Sequence, residues 1–355
     1  MSSISDFSII FMKKVQFQPL IIAITMVVFT MFGCVSDPKP TPPPTPPKPM
    51  VKVPAFDADL AFENVKKQVE FGPRVTNSVG HGACKTWLVE TLEGYASNVI
   101  QQNFVATAYT GTDLNGTNII AQFNPEATKR ICIAAHWDTR HIADSDLCDR
   151  DCRKPIDGAD DGASGVGILL EIARQLKQQP VSYGVDLILF DAEDHGDEND
   201  EPALTQAEQM KSARTWCLGS QHWAKNLHTA GYNPKYAILL DMVGSRNARF
   251  PKEKTSMDVN SNLVNKIWDL GQKMGYTSYF INKKGKAVTD DHFFVNIDSG
   301  IRMIDIINLS PQEERTFGDH WHTHDDNIEN IEPRTLRAVG QTMLAVLYQE
   351  ENGIF

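Results

Sequence analysis

The sequence predicts an α/β protein, a three-layer α/β/α sandwich with a mixed, mainly parallel central sheet. Two observations predict it. From Ile131 onward, short and mostly apolar runs alternate with longer stretches of helical periodicity, and the first of them, Ile131 to Ala135, is short and β-branched enough to be a strand covered on both faces. Strands that alternate with helices imply right-handed crossovers and a sheet held between two helical layers.

In chain order, residues 57–70 carry Leu60, Val65 and Val69 on helical spacing, Gly72-Pro73 breaks the chain, and a second helical stretch covers Gly82 to Tyr95. Val99 to Tyr109 and Thr117 to Phe123 read as strands, as does the buried run Ile131 to Ala135. Helix follows at Ala163 to Lys177, strand at Val185 to Phe190, helix at Ser220 to Leu227 and strand at Tyr236 to Leu240. The pattern closes with helix at Leu263 to Met274, strand at Met303 to Ile307 and helix at Pro333 to Tyr348.

The N-terminus has another character. Lys13 and Lys14 precede an apolar run from Leu20 to Phe32, whose thirteen residues would span only about two-thirds of a bilayer core as helix. It reads as the apolar part of a signal peptide. Met31-Phe32-Gly33-Cys34 resembles the lipobox of bacterial lipoproteins, which implies cleavage before Cys34, a lipid anchor on it and a place in the cell envelope. The alternative is an ordinary cleaved signal with Cys34 incidental. Eight of the 19 prolines fall between Pro38 and Pro49, a composition that extends as a polyproline-type spacer. The expected division is a signal at 1–34, a linker at 35–54 and one catalytic domain at 55–355.

The chain has 355 residues, 34 Lys+Arg, 45 Asp+Glu and a net charge of −11. That balance argues against the basic face a nucleic-acid partner requires. Beyond Cys34 there are five cysteines, an odd number for an oxidising compartment, and Cys148 and Cys152 are expected as a local disulfide or as free thiols rather than a zinc site.

In sheets of this kind ligands bind outside the carboxyl ends of the strands. The first three core strands end at His136-Trp137-Asp138, at Asp191-Ala192-Glu193-Asp194 and at Asp241. Asp160-Asp161 opens the next helix, and His322 lies in HWHTHDD before the last one. So many carboxylates at one edge would repel each other without a cation. With His and carboxylate donors, a zinc-type ion is the natural candidate.

HWDT, DGADDGASGVGILLEIA, LILFDAEDHGD, LGSQHWA, LLDMVG, TDDHFF and WHTHDD, in that order, resemble the zinc aminopeptidase superfamily, and within it the bacterial glutaminyl-peptide cyclotransferases. The resemblance implies the aminopeptidase/phosphorylase-hydrolase-like sandwich and one Zn2+ held by Asp161, Asp194 and His322. It also implies Glu193 as general acid/base, Asp241 as a second catalytic carboxylate and Asp290 in a proton-handling hydrogen-bond network. Trp321 and Phe317 would wall the substrate pocket, with Trp216 as a third aromatic. Asp194 stands where the animal enzymes have Glu, and Asp305 where they have His. The implied reaction converts N-terminal Gln of peptides or proteins to pyroglutamate with release of ammonia. A di-zinc aminopeptidase remains the alternative, because His136 would complete its ligand set; in a cyclase His136 would be structural.

The remaining polar residues have plainer readings. His141, His195, His320 and His324 lie in polar loops and are expected to be solvated, and His292 is expected to orient a neighbour. Asp160, Asp291, Asp325 and Asp326 are expected to cap helices or support the ligands, and Glu171 to be a surface charge. The site motifs themselves show no positive partner for their acids.

Overall fold

A computed structural model describes residues 52–198, 205–312 and 314–355. The readings of a signal, of Cys34 and of the proline-rich segment lie outside the described residues, apart from the linker's last three positions. The helices are α1 (Ala58–Glu70), α2 (Val79–Glu93), α3 (Ala163–Gln178), α4 (Gln206–Ala213), α5 (Leu218–Lys225), α6 (Lys254–Lys273), α7 (Asp291–Ser299) and α8 (Pro333–Glu351). The strands are β1 (Asn98–Thr107), β2 (Asp113–Phe123), β3 (Arg130–His136), β4 (Gly184–Phe190), β5 (Ala237–Asp241), β6 (Phe250–Lys252), β7 (Phe280–Lys284) and β8 (Met303–Ile307). Among the described residues no helix is long and apolar enough to cross a membrane.

Six strands form the main sheet in the order β1-β2-β4-β3-β5-β8. β3, β4, β5 and β8 run parallel, while β2 pairs antiparallel with both β1 and β4. The mixed, mainly parallel sheet is as expected. Alternation along each strand sorts side chains to two cores. Ile131, Ile133 and Ala135 join the larger core with residues of α1, α2, α3, α6 and α8, whereas Cys132 and Ala134 face Trp223 of α5 and Val295 of α7. Helices therefore cover both faces, and the parallel strands are buried throughout.

The element ends differ from expectation for local reasons. α2 starts at Val79 because the Ser78 hydroxyl accepts the His81 amide as its cap. β2 starts at Asp113 because its first residues pair with β1. α4 went unforeseen because none of its residues is buried, so it carries no apolar stripe; a Thr205–Glu208 capping box holds it instead. α7 was legible only as the motif TDDHFF. Its cap is Asp290, which accepts the Asp291 amide, and not Asp291.

Three further expectations need correction. Glu171 is fully buried, accepting from Arg174, Gln175 and the Asp57 amide, because its helix face packs under the N-terminus of α1 rather than facing water. His195 is buried and stacks on His141 with centroids 4.7 Å apart. His320 is half-buried and sits 2.9 Å from Asp160 Oδ2. Cys148 and Cys152 form a disulfide, and Cys84, Cys132 and Cys217 are buried free thiols.

Candidate metal centre and active site

The strand ends place the site. α3 lies so close to β5 that a Cβ on Gly165 would come 2.4 Å from the Leu240 carbonyl, which brings the loop before α3 against the carboxyl ends of β3 and β5. Asp326 accepts the backbone amides of Asp160 and Asp161 at 2.7 and 3.1 Å, and Asp160 accepts those of Gly244 and Ser245 at 2.7 and 3.0 Å. These two buried carboxylates tie three loops together and fix the backbone that carries Asp161. In the same way Asp138, just past β3, accepts the amides of Glu193 and Asp194 at 3.0 and 3.2 Å and fixes the turn after β4.

Ala192, Cys217, Met242 and His322 all take left-handed backbone, with φ of 54°, 58°, 47° and 54°. For residues with a Cβ this conformation is strained, and strain of this kind concentrates where geometry serves a site. All four lie at or beside the same pocket, a cavity of about 680 Å³ lined by Asp161, Glu193, Asp194, Asp241, Asp290 and His322, with Trp216, Phe317 and Trp321 as its aromatic wall. Every residue expected at the site except His136 lines this cavity, and His136 lies directly beneath it, its Nε2 2.9 Å from Asp161 and 3.2 Å from Asp241.

One donor atom each from Asp161, Asp194 and His322 lie within 4.8 Å of one another, and so do one each from His136, Asp161 and Asp241. The first group suits a metal ion. Both carboxylate oxygens of Asp194 are buried and accept no directed hydrogen bond among the described residues, although His322 Nε2 lies 3.2 Å from Oδ1. The group also draws positive charge: burial pushes the His322 imidazole down, but Asp194 and Asp144 hold it up at about 9. Two carboxylates and an imidazole are donors that zinc accepts.

Glu193 is 9 % exposed, and burial pushes its carboxyl well above the ordinary range; His136 opposes the rise, while Asp194, Asp290 and Asp291 add to it by repulsion. The Cys217 thiol lies 3.1 Å from its Oε1 and donates to it. Asp241 is raised by burial and by Asp290 and Asp161, against the pull of His136. The His322 ring stacks between Trp321, at 3.6 Å between centroids, and Trp216, at 5.9 Å.

Two residues of the site escaped the sequence reading. Arg140 is fully buried, pairs with Asp144 through Nη2 at 2.5 Å, donates to the Asp194 and Gly196 carbonyls and lies 4.5 Å over the Trp216 ring. The acids of the site therefore do have a positive partner, with Arg140 Nη1 3.8 Å from Asp194 Oδ1. Asp144 Oδ1 lies 3.0 Å from His322 Nδ1 and orients that ring. The available signal was Asp138-Thr139-Arg140 directly after a core strand.

Residues 118–347 match the model of peptidase family M28. A Zn-dependent exopeptidase from Parabacteroides distasonis is 47% identical, with 84% of this chain and 99% of that one covered at a TM-score of 0.79. Glutaminyl cyclase from Bacteroides thetaiotaomicron is 46% identical, also covering 84% and 99%, at 0.79. Among curated proteins, the glutaminyl-peptide cyclotransferase of Gloydius blomhoffii is 28% identical over 247 residues, 62% of this chain and 61% of that protein. The chain thus spans about three fifths of the length of such curated relatives. The chain belongs to peptidase family M28, and within it to the branch of the glutaminyl-peptide cyclotransferases.

Proposed function

We propose that the protein is a zinc-dependent glutaminyl-peptide cyclotransferase that converts the N-terminal Gln of peptides or proteins to pyroglutamate and releases ammonia. The observation that carries this reading is one pocket in which Glu193, a carboxylate raised by burial, faces the Asp161–Asp194–His322 group between aromatic walls. One Zn2+ bound by Asp161, Asp194 and His322 would act as a Lewis acid on the γ-carbonyl of the substrate.

The remaining chemistry belongs to the side chains. As the substrate's α-amine attacks its own γ-carboxamide carbon, the new C–N bond forms and the amine proton passes to Glu193. Glu193 returns that proton to the departing nitrogen, which leaves as ammonia. A carboxylate whose pKa is raised by burial suits both transfers. Asp241 accepts a hydrogen bond from the amine and aims it, and Asp290 supports Glu193. Trp321, Phe317 and Trp216 fold the glutamine side chain back on its amine, where positioning supplies rate.

A di-zinc aminopeptidase is the second reading, favoured by His136 within reach of Asp161 and Asp241. One experiment separates the two. The purified protein is incubated with a Gln-initiated and a Leu-initiated peptide and the products are weighed by mass spectrometry. Loss of ammonia from the first is expected; release of free Leu from the second would replace the cyclase by the peptidase. Metal analysis is expected to find one zinc per chain, and two tightly bound ions would favour the peptidase.

A lipid anchor on Cys34, followed by a proline-rich spacer, would tether the enzyme to a membrane of the cell envelope, where exported peptides with a free N-terminal Gln are its substrates. This rests on the lipobox-like Met31-Phe32-Gly33-Cys34. Metabolic labelling with a radioactive fatty acid tests it, with label expected on the native chain and lost in Cys34→Ser. No role with nucleic acid is proposed for a chain of net charge −11.

A further inference from the structure

Behind the pocket wall, Glu253, His292 and Asp305 are buried ionisable groups that the proposed chemistry does not use, and they form a row that leads to two that it does, Asp290 and Glu193. The row begins at Glu253, the cap of α6, whose carboxylate accepts the amides of Thr255, Ser256 and Val288 at 2.7, 2.6 and 3.2 Å. His292, in the first turn of α7, places Nε2 3.3 Å from Glu253 Oε2 and Nδ1 3.8 Å from Asp305 Oδ2. Asp290, His292 and Asp305 bring one donor atom each within 4.8 Å of one another, and Glu193, Cys217 and Asp290 do the same. The row therefore runs from Glu253 through His292, Asp305 and Asp290 to Glu193. Glu253, His292 and Asp305 have no exposed surface, and Asp290 is 5 % exposed.

Four acids and one imidazole are a costly set to bury without compensation. Glu253 and Asp305 are compensated in different ways. Glu253 sits on three backbone amides at a helix N-terminus, where negative charge is favoured. Burial pushes its carboxyl up, but the imidazole of His292 and the Ser256 amide bring it down to about 2. Burial and the surrounding carboxylates of Asp290, Asp241 and Glu253 push Asp305 well up, and one of its oxygens lies within 4.8 Å of one donor atom each of Asp290 and His292. The backbone adds rigidity, since the Asp305 amide donates to Ser256 Oγ at 2.8 Å, one turn into α6. Only an imidazole that faces both Glu253 and Asp305 links the anchored end of this row to the end that lines the pocket.

We propose that Glu253 and His292 form a positioning pair for the catalytic carboxylates: His292, anchored by Glu253, fixes Asp305, which holds Asp290 against Glu193. His292 touches no substrate and acts only through Asp305 and Asp290. The proposal rests on the reading of Glu193 as the acid/base.

The test uses the full chain with zinc bound and compares His292→Phe, His292→Gln, Glu253→Gln and the double variant Glu253→Gln/His292→Phe. His292→Phe is expected to lower kcat by 10- to 100-fold with KM changed less than twofold. His292→Gln keeps a donor toward Glu253 and is expected to recover part of that loss. Glu253→Gln lowers kcat less, and the double variant is no worse than His292→Phe alone, because the two residues act as one unit. Near-ultraviolet circular dichroism verifies that each variant is folded, and Glu253→Gln carries the test if His292→Phe does not fold. A raised KM at unchanged kcat, additive losses, or no recovery in His292→Gln would overturn the proposal. A second equivalent of zinc that disappears in His292→Gln would also overturn it, since the cluster would then be a metal site. The pattern is read on whichever N-terminal reaction the wild type performs, so failure of the cyclase reading shows as free amino acid from the wild-type chain and not as a changed pattern among the variants.

Discussion

Asp144→Asn tests how the metal centre is built. In the structure Asp144 Oδ1 lies 3.0 Å from His322 Nδ1 while Arg140 grips the same carboxylate. A proton on Nδ1 would face that carboxylate, which makes Nε2, facing Asp194, the atom for a metal to take. Burial pushes the Asp144 carboxyl up, but His322 and Arg140 bring it from 3.8 to about 2, equivalent to about 2.5 kcal/mol of interaction. Arg140 holds a share of this and solvent screens part of it, which leaves about 1 kcal/mol between Asp144 and His322. The loss of the tautomer lock comes in addition, because an amide can donate to Nδ1 and move the imidazole proton to Nε2. Zinc affinity should therefore fall about tenfold, measured by competition with a fluorescent chelator at pH 7. Arg140 keeps a hydrogen-bonding partner, so the fold should persist. A variant that binds zinc as tightly as the wild type would refute the role of Asp144 and the choice of His322 Nε2 as the ligand atom.

Glu193→Gln should keep its zinc and lower kcat by about 10²- to 10⁴-fold, the usual contribution of a general acid/base; a variant with full turnover on a Gln-initiated peptide contradicts the assignment. In the wild type, kcat/KM should rise with pH through a pKa above the ordinary carboxylate value, as Glu193 ionises, and this limb should be missing from what activity Glu193→Gln retains. For stability, Glu253 has a folded pKa of about 2 against 4.5, so its contribution of about 3 kcal/mol is present above pH 4.5 and lost as pH falls toward 2. The difference in urea unfolding free energy between wild type and Glu253→Gln should shrink over that window, and a pH-independent difference would show that the charge of Glu253 is not what stabilises the protein.

The parallel strands were legible because they are buried on both faces and so are mostly apolar along their length, with Asp186 and Asp305 as interior exceptions, and their polar ends stood out against that background. Asp161, Glu193, Asp194 and Asp241 could be picked out for this reason. α4 offered no such contrast, since all its side chains meet solvent or the pocket rim. Glu171 looked like a surface charge because nothing in its own helix reveals that the N-terminus of α1 returns over it. Arg140 and Asp144 went unseen for a similar reason: their partners, Asp194, Trp216 and His322, are 50 or more residues away in sequence.

By itself the sequence determined the layer architecture, the acidic edge of the sheet and the identity of the groups that could hold a metal, because periodicity and strand-end chemistry are local properties. Only the tertiary structure decided how those groups are held. Asp326 and Asp138 pin the loops by accepting backbone amides, Arg140 lies against Asp194 and Asp144 against His322, and Glu253 reaches toward the pocket through His292. Each of these contacts joins elements distant in the chain. Its strength comes from burial, which the sequence does not display until the elements pack.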